Sequence, residues 1–565
     1  MSKKYIIVGG VAGGASAAAR IRRLDEKAKI QIYDKGPDIS FSNCSLPNYF
    51  SGEVANLESL VLFNPDQFKM IYNLPAKTNH ELVKIMAEDH KVLVKNLLTG
   101  EEFEDSYDYL VLSPGAKAIV PPSIKGADGK NVFTVKKVED VRKADAFIRS
   151  NPVKEVVVVG GGFIGVEMAE NLTKSGFKVT LVEASDQIMA PFDYDMAQML
   201  HKEMDDKGVR LILKEAVEEI HDDRVVLSNG ESISCQLVFL AIGVKPDIDF
   251  AVESGIELGE TGAIKVDEYF RTSLEDVYAV GDAVETYNAI TGKKTILALA
   301  GPAQKEARIA ANHMFGIEDK NPGVIVSSCI RLFDLNAAAT GLSEKDCIKN
   351  GIDYDVALVI PSDRVGLMPG AKPLHFKLIY EVPSGKILGA QAISKADSIR
   401  KVDVVATMIR MGGSLKDLKD LDLCYAPSFS TAKDVVNYAA LAGLNVLNEV
   451  YKKISYTKVR DLVKNGEFIL DVRGKETFDK SHIKGAINIP IGEIRERYEE
   501  LPKDRTIYIH CRTSWNSYYA LCALKGLGYD NVVNIQGSFL QLSYYEYFND
   551  KTTGRERILT GYNFN

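Results

Sequence analysis

The chain has 565 residues, room for three or four domains. Hydrophobic residues make up 46% and charged residues 26%, which excludes a disordered or collagen-like chain. A formal net charge of −8 argues against a general nucleic-acid binder.

The seven cysteines are sparse, odd in number and without metal-ligand spacing. They imply a reducing, cytoplasmic setting with one or two reactive thiols and no metal site. No apolar stretch reaches spanning length without glycine or charge, so no membrane segment is expected.

Residues 1–19 imitate a secretory leader, with two lysines and an apolar run, but a different reading fits better. Residues 5–8 form a buried strand, and Gly9-Gly-Val-Ala-Gly13-Gly14 opens a helix that runs to residue 24. Residues 30–33 form the next strand, ending at Asp34. Strand, glycine turn, helix, strand and acid make a dinucleotide-binding unit. The turn lets the backbone approach a pyrophosphate, and the acid takes a ribose hydroxyl. Gly9, Val11, Ala12, Gly13 and Asp34 are the cofactor candidates, with Val11 where strict spacing asks for the second glycine.

Beyond that unit lies Ser40-Phe41-Ser42-Asn43-Cys44. A thiol placed just after a nucleotide fold is a redox candidate, since a nearby cofactor or helix terminus can favour the thiolate. Tyr49 stands five positions later, so no Cys-x4-Cys disulfide can form. A lone redox cysteine must cycle through a mixed disulfide, a persulfide or a sulfenic acid.

A second nucleotide unit follows. Residues 156–159 lead to Gly160-Gly161-Gly162-Phe163-Ile164-Gly165, then a helix, then a strand over 179–182 ending at Glu183. Gly160, Gly162, Ile164 and Gly165 are assigned to the dinucleotide. Glu183 favours the free ribose of NADH and repels the extra phosphate of NADPH. From about residue 326 the pattern changes. Runs at 374–380 and 387–393 read as strands, and 401–411 and 432–442 as helices. After a linker near 449–453, residues 468–473 and 507–511 read as strands, the second ending in Cys511. A cysteine between a strand end and a helix can be ringed by backbone N–H groups that favour a thiolate or persulfide.

Ser-Phe-x-x-Cys after this N-terminus resembles the single-cysteine flavoprotein disulfide reductases: coenzyme A-disulfide reductases, persulfide reductases, and NADH oxidases and peroxidases. Segments 110–116, 240–247 and 277–282 resemble the chain-crossing and flavin motifs of that family, implying cofactor contacts at Ser113, Gly243 and Asp282. The C-terminal 110 residues resemble a rhodanese domain, with Cys511-Arg-Thr-Ser-Trp-Asn-Ser517 where many rhodanese loops read Cys-x-x-Gly-x-Arg-Ser.

The resemblance implies an α/β chain with two Rossmann-like dinucleotide-binding domains, an α+β dimerisation domain and a C-terminal α/β rhodanese domain. Expected boundaries are 1–115 with 245–325 for FAD, 116–244 for NAD(P)H, 326–448 for dimerisation and 454–565 for the rhodanese unit. It implies a homodimer using FAD and NADH, with NADPH less favoured. CoA contacts are implied at Ser16, Arg20, Arg23, Ser40, Asn43, Lys305 and Lys433. Tyr425 is implied to assist a sulfur leaving group at the partner's redox cysteine.

The implied activity is reduction of CoA persulfide, polysulfide or CoA disulfide through Cys44, with sulfane sulfur handled at Cys511. Coenzyme A-disulfide reductases often carry His-x-x-Tyr-Tyr-Pro where this chain has Met368 at the second tyrosine. A persulfide, with hydrosulfide as leaving group, asks less of that loop. Two alternatives stay open. One is a NADH oxidase or peroxidase working through Cys44 sulfenic acid, although peroxidases place a histidine where Ala12 stands. The other is a sulfur-trafficking or sensing module built on Cys511.

Overall fold

The computed structural model describes residues 2–564, and they fall into two compact units. The first runs to Asp186 and resumes over Gly208–Val326; the second joins Gln187–Lys207 to Ser327 and beyond.

Two parallel five-stranded sheets build the first unit. One has the order Val277–Ala279, Tyr109–Leu112, Lys4–Val8, Lys29–Tyr33, Ala76–Lys77. The other has the order Arg210–Leu213, Lys178–Glu183, Glu155–Val159, Leu237–Leu240, Val132–Phe133. Continuous apolar runs such as Tyr5-Ile-Ile-Val8 are buried along their whole length, as a parallel sheet covered on both faces requires. In each sheet the first strand is central, so its carboxyl end faces a crevice where the strand order reverses.

The second unit holds an antiparallel sheet in the order Ser328–Leu332, Leu335–Gly341, Ile387–Ser394, Leu374–Glu381, Tyr354–Val359. It also holds a parallel sheet in the order Lys452–Ser455, Val532–Gln536, Ile507–His510, Phe468–Asp471, Ile487–Asn488. Lys452 and Lys453, read from sequence as linker, are already paired with Val533 and Asn534. Among the described residues no helix is long and apolar enough to cross a membrane.

One stretch departs from the sequence reading. Residues 187–207 were expected inside the nucleotide domain of 116–244, but they cluster with the second unit. The physical reason is a buried ion cluster. Lys377, 1% exposed, lies 2.8 Å from Asp195 and 3.0 Å from Asp193, and also pairs with Glu344. The Tyr456 hydroxyl donates to Asp195 at 2.7 Å. The strand expected at 374–380 is present, as Leu374–Glu381. His375 and Lys377 are both buried, as is almost the whole strand.

The cluster yields a stability test. Three carboxylates favour the ammonium form of Lys377 strongly enough to overcome its burial. Lys377→Met leaves them facing one another, and breaking a buried pair of this kind costs about 3–5 kcal/mol. A clear fall in the thermal midpoint is expected, partly recovered by Asp195→Asn in the same chain. An unchanged midpoint in the single variant would show that the cluster contributes nothing to holding 187–207 in place.

Candidate active site

The two nucleotide units share one local geometry. Gly9 and Gly160 have φ of +92° and +107°, and a Cβ at either would lie 2.0 or 2.5 Å from the carbonyl oxygen of Ser113 or Ala241. Only glycine permits that conformation and approach together. Gly14 and Gly165 each face the carbonyl of the turn's first glycine, where a Cβ would sit at 1.9 Å. Gly14 thus does in the first turn what Gly165 does in the second, a role that aligning the two motifs would have exposed.

Val11 caps the helix Ala12–Leu24 at φ −109°, where a β-branched residue is allowed. That is why the first turn tolerates valine at the position Gly162 holds in the second. The acids match as well. Asp34 accepts from Gly10 N and Gly36 N, both at 2.7 Å. Glu183 accepts from Gly161 N at 2.6 Å and from Ser185 N and Oγ at 2.7 Å. Ile164 is the second residue of the helix Phe163–Lys174, and Gly243 adopts φ +111° in the turn after Leu237–Leu240.

At the crevice of the first sheet lies a cavity of about 690 Å³, a volume that suits a bound cofactor or substrate. Gly9, Val11, Ala12, Gly13, Asp34, Ser113 and Asp282 line it, and so do Ser16, Arg23, Ser40, Asn43 and Cys44. Ser40 N donates to Gly10 O at 2.8 Å and Leu62 N to Ser40 O at 2.8 Å. These bonds tie the cysteine loop to the glycine turn. Ser40 takes φ +49°, a left-handed conformation held by that tie. A glycine-permitted turn, a backbone-bonded acid and a cavity at the strand ends fit a dinucleotide cofactor.

Cys44 is exposed in the short turn Asn43–Ser45. Burial on its protein side pushes its thiol up, the carboxylate of Glu167 adds to that, and the Lys136 ammonium pulls the other way. The surrounding side chains therefore do not by themselves supply the thiolate-favouring field expected from sequence. Glu167 lies on Phe163–Lys174, against which Leu46–Phe50 packs. Burial raises its own carboxyl to about 7, with Glu170 adding to the effect. Lys136 Nζ pairs with Asp282 at 3.0 Å. Glu306, raised to about 7 by burial, accepts from Gly281 N at 2.7 Å and steadies the turn that carries Asp282. Sequence offered no local signal for Glu167, Lys136 or Glu306, because each acts on Cys44 or on the Asp282 turn from a distant segment.

Arg20 Nε donates to Asn312 Oδ1 at 2.8 Å. Burial, then Arg308 and Arg23, hold its guanidinium below the usual range. Arg308, on Ala300–Met314, thus joins Arg20 and Arg23 in one basic cluster, a combination suited to phosphate oxygens. Lys305 is exposed on the same helix and does not line the cavity.

The second unit carries Cys511 at the end of Ile507–His510, 3% exposed. Its backbone N donates to Ser538 Oγ at 3.2 Å. Its carbonyl accepts from Phe539 N at 3.1 Å. Ser514 stands where many rhodanese loops have glycine, yet its φ is +73°. Its Oγ lies 3.2 Å from Ile535 O and 3.1 Å from Ser538 Oγ, bonds that hold it in the left-handed region. Behind the loop, Arg473 grips Asp471 through Nε and Nη2. Cys511, Arg512 and His375 line one cavity of about 1710 Å³. Burial lowers His375 to about 4, and Gln541 Oε1 lies 2.5 Å from its Nδ1. Lys433 lines this second cavity, whereas Tyr425 is exposed and lines neither.

Residues 3–307 match the pyridine nucleotide-disulphide oxidoreductase family model. The chain belongs to that family. Residues 327–435 match the family's dimerisation domain and 455–543 a rhodanese-like domain. A coenzyme A disulfide reductase of Staphylococcus epidermidis is 32% identical over 435 residues, covering 77% of this chain and 98% of the relative. The solved structure of reduced CoADR-RHD from Bacillus anthracis superposes with a TM-score of 0.93 at 39% identity, covering 96% of this chain and 98% of that one. A NAD-dependent persulfide reductase from A. fulgidus gives 0.91 at 33% identity, covering 96% and 100%. The expected α/β class, with its dimerisation and rhodanese units, is thereby established. As in the family, the cofactors are FAD and NAD(H).

Two outcomes test this geometry. Glu167→Gln removes a charge that disfavours the Cys44 thiolate, so alkylation of Cys44 should shift to lower pH, while Lys136→Met should shift it higher. Profiles that coincide with wild type would remove both residues from the thiol's environment. At Glu183, kcat/KM for NADH should exceed that for NADPH, and Glu183→Ala should narrow the gap by roughly tenfold, the scale of one hydrogen bond to a charged group. Preference for NADPH in the unaltered chain would contradict the assignment.

Proposed function

We propose that this chain is an FAD-dependent NADH:CoA-persulfide reductase that also accepts related polysulfides and CoA disulfide. The observation that carries the reading is Cys44. It opens into the cavity formed by the first glycine turn, Asp34 and Asp282, and its loop is hydrogen-bonded to that turn. The similarity to the persulfide reductase and to CoADR-RHD extends over 96% of the chain, so both units take part in the comparison.

In this reading the Cys44 thiolate attacks the CoA sulfur of a CoA persulfide. The sulfur–sulfur bond breaks, hydrosulfide leaves, and a Cys44–CoA mixed disulfide forms. FAD and NADH, when bound, supply the electron pair that opens it and releases the CoA thiol. The balance is one persulfide, one NADH and one proton to one thiol, one hydrogen sulfide and one NAD⁺.

Arg20, Arg23 and Arg308 receive the phosphates of CoA, and Ser16, Ser40 and Asn43 line the path to the thiol. The match to a dimerisation domain supports a homodimer, in which Tyr425, exposed in the single chain, serves the partner's cysteine. Seven free cysteines support a reducing cytoplasmic setting. Cys511 captures sulfane sulfur for delivery to CoA.

Cys44→Ser is expected to retain FAD and NADH binding and to lose persulfide turnover; turnover at the wild-type rate would overturn the assignment. Cys511→Ser should reduce pre-formed CoA persulfide normally but slow on inorganic polysulfide, which must first be captured. Equal rates on every donor, with no sulfur adduct found on Cys511 by mass spectrometry, would take the rhodanese unit out of the reaction.

A further inference from the structure

The cavity around Cys511 is far larger than a sulfane-sulfur donor needs. Thiosulfate or a short polysulfide would fill a small corner of about 1710 Å³, whereas sites for cofactor-sized ligands span roughly 300–1,000 Å³. Its wall is unusual in two respects.

The first is aromatic. Trp515 is the single tryptophan of the chain. It opens Trp515–Gly526, four residues beyond Cys511, and is 45% exposed. Tyr438 lies against it at 4.7 Å between centroids and Tyr519 at 5.5 Å, with Tyr519 itself 52% exposed. All three line the cavity. Aromatic rings left half-open on a cavity wall offer a stacking surface for a planar base.

The second is charge. The lining cations Lys202, Lys372, Lys395, Lys433, Arg473 and Arg512 face only Glu203 and Asp206 as lining acids. Lys202 is paired with Asp206, Lys395 with Asp334, and Arg473 with Asp471. Lys372 and Lys433 have no carboxylate partner among the described residues. The Lys433 ammonium lies 5.2 Å from the Tyr438 ring centre, beside the aromatic group. A stacking surface with two uncompensated ammonium groups is the chemistry of an adenine nucleotide site.

We propose that this cavity is a second binding site for a nucleotide-bearing thiol, separate from the arginine cluster of the first unit. The base stacks on Trp515 and Tyr519, the phosphates meet Lys433 and Lys372, and the thiol arm extends toward Cys511. The inference rests on the reading of CoA as the thiol in Proposed function, and adds where the rhodanese unit holds it.

Trp515 is its own probe. Titrating the full-length holoenzyme with CoA should quench tryptophan fluorescence saturably. Pantetheine, which lacks the nucleotide, should not quench, and ADP should bind more weakly than CoA. Lys433→Met and Lys372→Met should each weaken CoA quenching by roughly tenfold, as loss of a charge-assisted contact does. Tyr519→Leu should weaken it while keeping the tryptophan signal. Arg23→Ala should leave the quenching unchanged and raise KM in NADH-driven persulfide turnover, so failure of this site and failure of the proposed function read out separately. No quenching by CoA, equal quenching by pantetheine, or indifference to both lysine changes would overturn the proposal. ADP binding as tightly as CoA would reassign the site to free nucleotides and overturn it for the thiol.

Discussion

The first unit depends on one steric constraint, the contact between backbone and backbone at its glycine turns. At Gly9 and Gly160 the chain passes so close to Ser113 and Ala241 that no side chain fits. That approach brings a helix N-terminus, the end of a second strand and the next turn to a single point. From there, hydrogen bonds carry the arrangement outward. Gly10 N reaches Asp34, Gly10 O reaches Ser40, and the Ser40 loop delivers Cys44 to the cavity. The Cys44 thiol is thus positioned by backbone geometry. Its ionisation is governed by side chains from elsewhere, chiefly Glu167 and Lys136 after burial itself.

The second unit is organised by charge. A lysine inside a β-sheet is tolerable only with carboxylates around it. Lys377 finds three, two of them on the segment 187–207. The same strand face carries His375 to the Cys511 cavity, where burial keeps the ring neutral. A strand of the dimerisation domain therefore lines the cavity of the rhodanese cysteine, and the two domains of this unit share one chamber.

What was legible in the sequence follows the range of each signal. Glycine turns, strand-end acids and the two cysteine loops are local patterns, and they lie within 5–44, 156–183 and 507–517. Val11 looked like a defect in the first motif but satisfies it, because its φ is negative. Segment 187–207 was assigned by chain order, yet Lys377 lies some 180 residues away from its acids and left no local trace. Glu167, Arg308 and His375 were missed for the same reason. Each reads as an ordinary helix or strand residue until the fold brings it to a thiol or a guanidinium. Tyr425 is exposed in the single chain, so the role proposed for it rests on the proposed homodimer.

The central claim is that Cys44, among seven free cysteines, is the thiol that exchanges with CoA-bound sulfur. The most direct measurement is mass spectrometry of peptides from the holoenzyme after reaction with CoA disulfide, digested under non-reducing conditions. The account predicts a CoA mixed disulfide on the peptide carrying Cys44, removed by NADH. A Cys44 peptide without CoA, with the adduct on another cysteine or on none, would contradict it.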